Sequence, residues 1–135
     1  MLISSNAKIP TKTTEHGISY DLYASKWTLI PSHGRAAVNT GIKIALPHGT
    51  YGRIAGLWEK AQVYGLIVSG GVIESDYTGE IRVILQNLTS QPYLVSAGEP
   101  VALLICEQYV NSLAYESSYN TNWDKSDVKY NDKSY

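Results

Sequence analysis

Glu74 stands in the run Gly70-Gly71-Val72-Ile73-Glu74-Ser75-Asp76-Tyr77-Thr78-Gly79-Glu80, where three carboxylates and one aromatic ring lie between two apolar stretches. Val72 and Ile73 are β-branched strand formers, and Gly70, Gly71 and Gly79 are places where backbone can turn or closely approach a ligand. That composition describes a hairpin able to seat a small planar molecule beside Tyr77. Taken alone, the same residues also suit an ordinary β-turn with solvated carboxylates.

Other reactive residue types lack partners at useful spacing. His16, His33 and His48 each precede a turn glycine, with no paired spacing for a metal, so they read as solvated loop histidines and no metal site is assigned. The hydroxyl residues form no nucleophile elbow or histidine-linked triad, which argues against acyl transfer. Cys106, the only cysteine, lies in an apolar run and reads as a packed core thiol in a reducing compartment.

The elements that must position the hairpin are strands. Val38, Thr40, Ile42, Ile44 and Leu46 alternate with Asn39, Gly41, Lys43 and Ala45, predicting a half-buried strand. Ile81 to Leu85 and Val101 to Cys106 are nearly continuous apolar runs bounded by Gly and Pro, as expected of strands covered on both faces. Turn clusters at Pro31-Ser32-His33-Gly34, Pro47-His48-Gly49, Thr89-Ser90-Gln91-Pro92 and Ala97-Gly98-Glu99-Pro100 give the spacing of an all-β sandwich or barrel. Only Glu59 to Tyr64 has helix-forming composition, with Gly65 placed as its C-terminal cap. Residues 1–113 therefore read as one β domain. Residues 114–135 contain no Gly or Pro and few aliphatics, and read either as a partly disordered polar, Tyr-rich tail or as an exchanged arm that Tyr115, Tyr119, Trp123 and Tyr130 anchor to a neighbour.

At a formal net charge of −1 with scattered basic residues, the chain carries no footprint for long nucleic acid or an anionic membrane. Any nucleotide partner is small. With no signal peptide and no apolar run of spanning length, a soluble intracellular protein of the cytoplasm or nucleus is expected.

Taken in order, the hairpin joins His16-Gly17-Ile18-Ser19-Tyr20-Asp21-Leu22-Tyr23-Ala24, Gly41 to Pro47, Gly49-Thr50-Tyr51-Gly52-Arg53-Ile54-Ala55 and Gly98 to Glu107. In this order and spacing, over roughly residues 8 to 110, the chain resembles the trimeric dUTPases. The resemblance implies a jelly-roll-like β-sandwich with one short helix, forming a homotrimer with sites between subunits and a C-terminal arm that closes over the ligand. It implies cleavage of dUTP to dUMP and pyrophosphate with magnesium. Tyr77 then corresponds to the tyrosine beneath the deoxyribose, and the backbone around Gly71, Ile73 and Gly79 to the uracil edge. Asp21 corresponds to an aspartate at the metal and phosphate end. Arg53 and Arg82 are taken as structural or interfacial pairs.

Elsewhere the chain departs from the family pattern. Gly56-Leu57-Trp58-Glu59 replaces Pro-Arg-Ser-Gly, Leu103 replaces a glutamine, and Glu99-Pro100 replaces Asp-Arg, so side-chain donors to phosphate are lost. Glu74 takes the place of the aspartate that activates water, moving the carboxylate outward by about 1.5 Å. Asp76, two residues on, is read as pointing away from Glu74 and as a weak substitute for it. No glycine follows Gly98 to build the family's glycine-rich arm. These changes together predict a non-hydrolysing homologue that binds or sequesters a nucleotide, or meets a protein partner through its tail, with no cofactor assigned. The alternative expectation is an active dUTP diphosphatase using magnesium, with Glu74 as base, Asp21 toward the metal and Trp123 as a substitute lid.

Overall fold

The computed structural model of the chain describes residues 1–116 and the backbone of Lys129–Tyr130. In chain order the elements are β1 (Thr11–Lys12), β2 (Ser19–Tyr23), β3 (Thr28–Ile30), β4 (Arg35–Asn39), β5 (Thr50–Ala55) and α1 (Trp58–Tyr64). They continue with β6 (Leu66–Ser69), β7 (Val72–Ile73), β8 (Arg82–Asn87), β9 (Tyr93–Val95), β10 (Pro100–Gln108), β11 (Ser112–Leu113) and β12 (Lys129–Tyr130). Tyr119 and Trp123, expected to anchor an arm, lie outside the described residues, as does the side chain of Tyr130.

One sheet has the order β1-β2-β10-β5-β7, a second β4-β8-β6, and β3 pairs with β9 as a separate ribbon. Leu22, Ile54, Ala102 and Leu104 from the first sheet, Val38, Leu66, Val83 and Leu85 from the second, and Ile30 and Val95 from the ribbon share one buried cluster. At about 1.5–3 kcal/mol for each large side chain fully removed from water, that cluster is the main force joining the layers. The result is the expected all-β, jelly-roll-like sandwich with one short helix.

Three local expectations change. The alternating run from Val38 is not one strand: β4 stops at Asn39, and Gly41 at φ 70° bends the chain, although Val38, Thr40 and Ile42 still point inward. A side chain at Gly41 would meet Ala7 Cβ at 2.8 Å, so the bend leaves room only for hydrogen. The run from Ile81 is covered on one face, not two, because β8 alternates and Ile84 is exposed while Val83 and Leu85 are buried. Cys106 is exposed rather than packed, since cover over its face of β10 ends beyond Leu104.

The helix α1 buries no residue and spans only seven positions, too few to persist in water unaided. Gly65, at φ 63°, ends it in the left-handed conformation and donates its amide to the Lys60 carbonyl. The Lys60 ammonium donates to the Glu99 carboxylate and, at 2.7 Å, to the Tyr93 hydroxyl, which itself donates to Glu99 at 2.6 Å. Tyr64 packs edge-on against Tyr93, with ring centroids 5.2 Å apart. One cation thereby ties α1 to the turn before β10.

Burial opposes charge on both partners, yet the hydrogen bonds prevail: Lys60 is held above and Glu99 below its ordinary pKa. The Glu99 contribution is complete above its ordinary pKa of about 4.3 and is lost as pH falls through the depressed value. The Lys60 contribution is complete below its ordinary pKa of about 10.4 and is lost as pH rises through the elevated one. Lys60→Met should therefore lower stability by about 1–2 kcal/mol at pH 7, given a pair that is only partly buried. In urea melts the gap between wild type and variant should narrow as pH falls below about 4.

Candidate functional site

The segment carrying Glu74 begins where β6 of one sheet crosses to β7 of the other, and it is a crossover loop rather than the expected hairpin, because β7 pairs with β5 while β8, on its far side, pairs with β4 and β6. Gly70 and Gly71 take φ of 69° and 111°, and a Cβ on Gly71 would lie 2.7 Å from the Ile54 carbonyl oxygen. This approach lets the Gly71 carbonyl accept the Ile54 amide at 2.7 Å and sets Val72 opposite Arg53 and Ile73 opposite Gly52. The turn then closes through the Tyr77 amide, which donates to the Glu74 carbonyl at 3.0 Å.

Tyr77 is held at both ends. Its hydroxyl donates to the Glu80 carbonyl at 2.7 Å, and its ring lies across Gly79, where a Cβ would come within 2.6 Å of the hydroxyl oxygen. The ring remains 45% exposed, open to a ligand. A hollow of about 220 Å³ adjoins it, lined by Ile73, Glu74, Glu80 and Arg82. A larger hollow of about 660 Å³ has Tyr51, Glu74, Asp76, Tyr109 and Asn111 in its walls. Glu74 borders both, so an exposed carboxylate capable of accepting a proton faces each space. Asp76 does not point away as expected: residues two apart already share a face in a regular strand, and in the turn Asp76 lines the larger hollow together with Glu74.

The second group of expected residues lies elsewhere in the five-stranded sheet. Asp21 on β2 pairs with Leu103 on β10, which pairs in turn with Ala55 on β5, and Gly56, Leu57 and Trp58 follow Ala55. The Asp21 carboxylate is half-buried and accepts from the Thr13 hydroxyl at 3.2 Å. Leu57 caps α1 without a side-chain hydrogen bond, and Trp58 is 82% exposed. Extending the β5–β7 register places Glu74 opposite Tyr51, four residues along from Ala55 and three strands from Asp21. At ~3.3 Å per residue and ~4.8 Å per strand the backbone positions of Asp21 and Glu74 are roughly 20 Å apart. One protomer thus brings Glu74, Tyr77, Gly71, Ile73 and Gly79 together, and Asp21, Leu103, Leu57 and Trp58 together, but does not join the two groups.

Sequence reasoning missed the residues that brace the larger hollow. Tyr51 and Arg53 project from the same side of β5, and both donate to the Glu107 carboxylate on β10. The Tyr51 hydroxyl and then the Arg53 guanidinium pull Glu107 below the usual carboxylate range, while the hydrogen bond to Glu107 and then burial push the Tyr51 phenol up. Tyr109 packs edge-on against the ring so fixed, centroids 6.5 Å apart. The i, i+2 spacing of Tyr51 and Arg53 is visible in the sequence, but their shared partner depends on a strand register fifty residues away. Among the described residues, no three His, Cys, Asp or Glu side chains group as a metal cage. Magnesium commonly needs only one or two carboxylates besides substrate phosphates, and Asp21 and Glu74 each offer one.

The family profile for dUTPase matches residues 5–132. A deoxyuridine 5'-triphosphate nucleotidohydrolase of Paramecium bursaria Chlorella virus 1 is 44% identical over 105 residues, 78% of this chain and 74% of that protein. The Saccharomyces cerevisiae protein of the same name is 40% identical over 110 residues, 82% of this chain and 75% of that one. A mutant Staphylococcus bacteriophage 80alpha dUTPase with dUpNHpp superposes with a TM-score of 0.82 at 15% identity, covering 90% of this chain and 96% of that one. A dUTPase mutant of phage phi11 of S. aureus, described with a structural Mg(II) ion, gives 0.81 at 15% identity over 90% and 97%. At that identity the likeness concerns the fold.

These findings correct the expected function. The non-hydrolysing, nucleotide-sequestering or partner-binding homologue inferred from Leu57, Trp58 and Leu103 is overturned by relatives about 40% identical over four-fifths of the chain that are named hydrolases. Leu57 and Leu103 carry no polar side-chain atom, yet the segment that follows β7 keeps an exposed Glu74 carboxylate and a Tyr77 fixed through its amide and its hydroxyl. With a profile match spanning residues 5–132 and relatives at this identity, the chain belongs to the dUTPase family.

Proposed function

We propose that the protein is a dUTP diphosphatase, splitting dUTP into dUMP and pyrophosphate with Mg²⁺, and that it works as a homotrimer. The observation that carries this is the joining of Glu74 and a fixed, open Tyr77 in one turn, with Glu74 bordering the hollows on either hand. Tyr77 and the backbone at Gly71, Ile73 and Gly79 seat the deoxyuridine. Glu74 takes a proton from water, the water oxygen attacks the α-phosphorus, and the bond to the oxygen bridging the α- and β-phosphates breaks as pyrophosphate leaves. When bound, Mg²⁺ neutralises charge on the phosphate chain, and Asp21 is the carboxylate suited to meet it.

The separation of roughly 20 Å between Asp21 and Glu74, taken from strand geometry, argues for completion of the site by a second copy. In such an assembly Asp21 of one copy meets the Glu74 turn of the next, as C₃ symmetry permits three times over. Residues 1–113 form the β domain of each copy. Leu57, Trp58 and Leu103 then shape the phosphate end without donating to it.

Purified protein given dUTP and magnesium should release pyrophosphate at about 1 s⁻¹ or faster. Glu74→Gln should cut kcat by about 10²–10⁴ while dUMP affinity measured by calorimetry holds. A wild type that releases no pyrophosphate sinks the assignment. Light scattering should give a mass three times the 14.9 kDa of one chain. Co-expressed Asp21→Asn and Glu74→Gln chains should regain about a quarter of wild-type activity, the share of sites drawing both intact residues under random mixing in a closed trimer. No recovery in mixed trimers means that each copy supplies both carboxylates itself.

A further inference from the structure

Tyr77 owes its fixed position to a residue that no substrate needs to touch. The Glu80 carbonyl receives the Tyr77 hydroxyl, and the Glu80 carboxylate, its side chain 16% exposed, is held from the other side. Asn39 Nδ2 donates to both carboxylate oxygens at 3.2 and 3.0 Å, and the Gly41 amide donates to Oε2 at 3.0 Å. Arg82 stands farther off, at 4.0 Å, with its own side chain mostly in solvent. The backbone on both sides of this lock is pinned as well: the Thr40 hydroxyl donates to the Ile81 carbonyl at 2.6 Å, and the Ile81 amide to the Ile42 carbonyl at 3.0 Å. The end of β4 therefore grips the segment that follows Tyr77.

We propose that Glu80, locked by Asn39, is a positioning residue that sets the sugar specificity of the site by fixing the Tyr77 ring through its hydroxyl. The proposal rests on Tyr77 lying beneath the sugar, as in the function proposed above. Excluding one additional hydroxyl is a steric task. A wall that yields by an ångström no longer excludes it, and catalytic geometry is sensitive on that scale, with about a hundredfold loss from a 1 Å displacement. The Tyr77 ring has two tethers, its own amide on Glu74 and its hydroxyl on Glu80. Removing the Glu80 carboxylate frees the peptide under the second tether and lets the ring tilt.

The test compares kcat/KM for dUTP and UTP in wild type, Glu80→Ala, Glu80→Gln, Asn39→Ala and Tyr77→Phe. Glu80→Ala should lower the dUTP to UTP ratio by about tenfold or more, Asn39→Ala should act in the same direction, and Glu80→Gln, which keeps an acceptor for Asn39, should restore most of it. Because Glu80 acts through the hydroxyl, adding Glu80→Ala to Tyr77→Phe should change the ratio no further. A ratio that stays put in Glu80→Ala while its melting temperature falls overturns the proposal and leaves Glu80 a purely structural residue. Should Glu80→Ala fail to fold, Asn39→Ala decides the matter on the same ratio. If the wild type turns over neither nucleotide, the reaction assignment fails separately, and calorimetric affinities for dUMP and UMP across the same variants still decide whether Glu80 governs the sugar.

Discussion

The Ile54 amide and the Gly71 carbonyl meet at 2.7 Å, and the site follows from that contact. It brings the chain from the second sheet onto the edge of the first at a place where any side chain would strike backbone. Once the crossing is made, the register of β7 is fixed, because a slip of one residue would exchange the faces that Ile73 and Glu74 occupy. The two-residue strand is too short to hold itself; its neighbour β5, embedded beside β10 in the same sheet, holds it. Stability accumulated in the sandwich core is in this way converted into placement of one carboxylate and one ring.

Local signals in the sequence predicted local structure well. The turn after β7 was legible because glycines, β-branched residues and an aromatic occur together within eleven positions, but its reading as a hairpin failed, since β7 joins β5 while β8 joins β4 and β6. The helix was legible from its composition and from Gly65, and begins one residue before the expected start. Long-range facts were less accessible. Ile84 and Cys106 sit in apolar runs, but whether a strand has cover on one face or two depends on what the rest of the chain lays over it, and here that cover is partial. The bend at Gly41 was hidden by an alternation of residue types that persists through it.

The site was legible in part for the same reason. Glu74 and Tyr77 are neighbours in the chain, so their association needs no knowledge of register. The row from Asp21 through Leu103 to Ala55, the anchoring of Tyr51 and Arg53 on Glu107, and the grip of Asn39 on Glu80 all join segments tens of residues apart. The expectation of a non-hydrolysing protein had a related origin. It weighed individual donors missing at Leu57, Trp58 and Leu103 more heavily than the extent of likeness along the rest of the chain, which the named hydrolases share.

The helix α1 contributes nothing to the core and is tethered chiefly by the Lys60 side chain and the ring of Tyr64. Its remaining positions are consequently free of packing demands and can accept new residue types with little penalty to the sandwich. A segment with that latitude borders the end of the sheet where the family pattern is most altered. Change there is uncoupled from the packing of the sandwich, so this turn of chain can be remodelled without reopening the core.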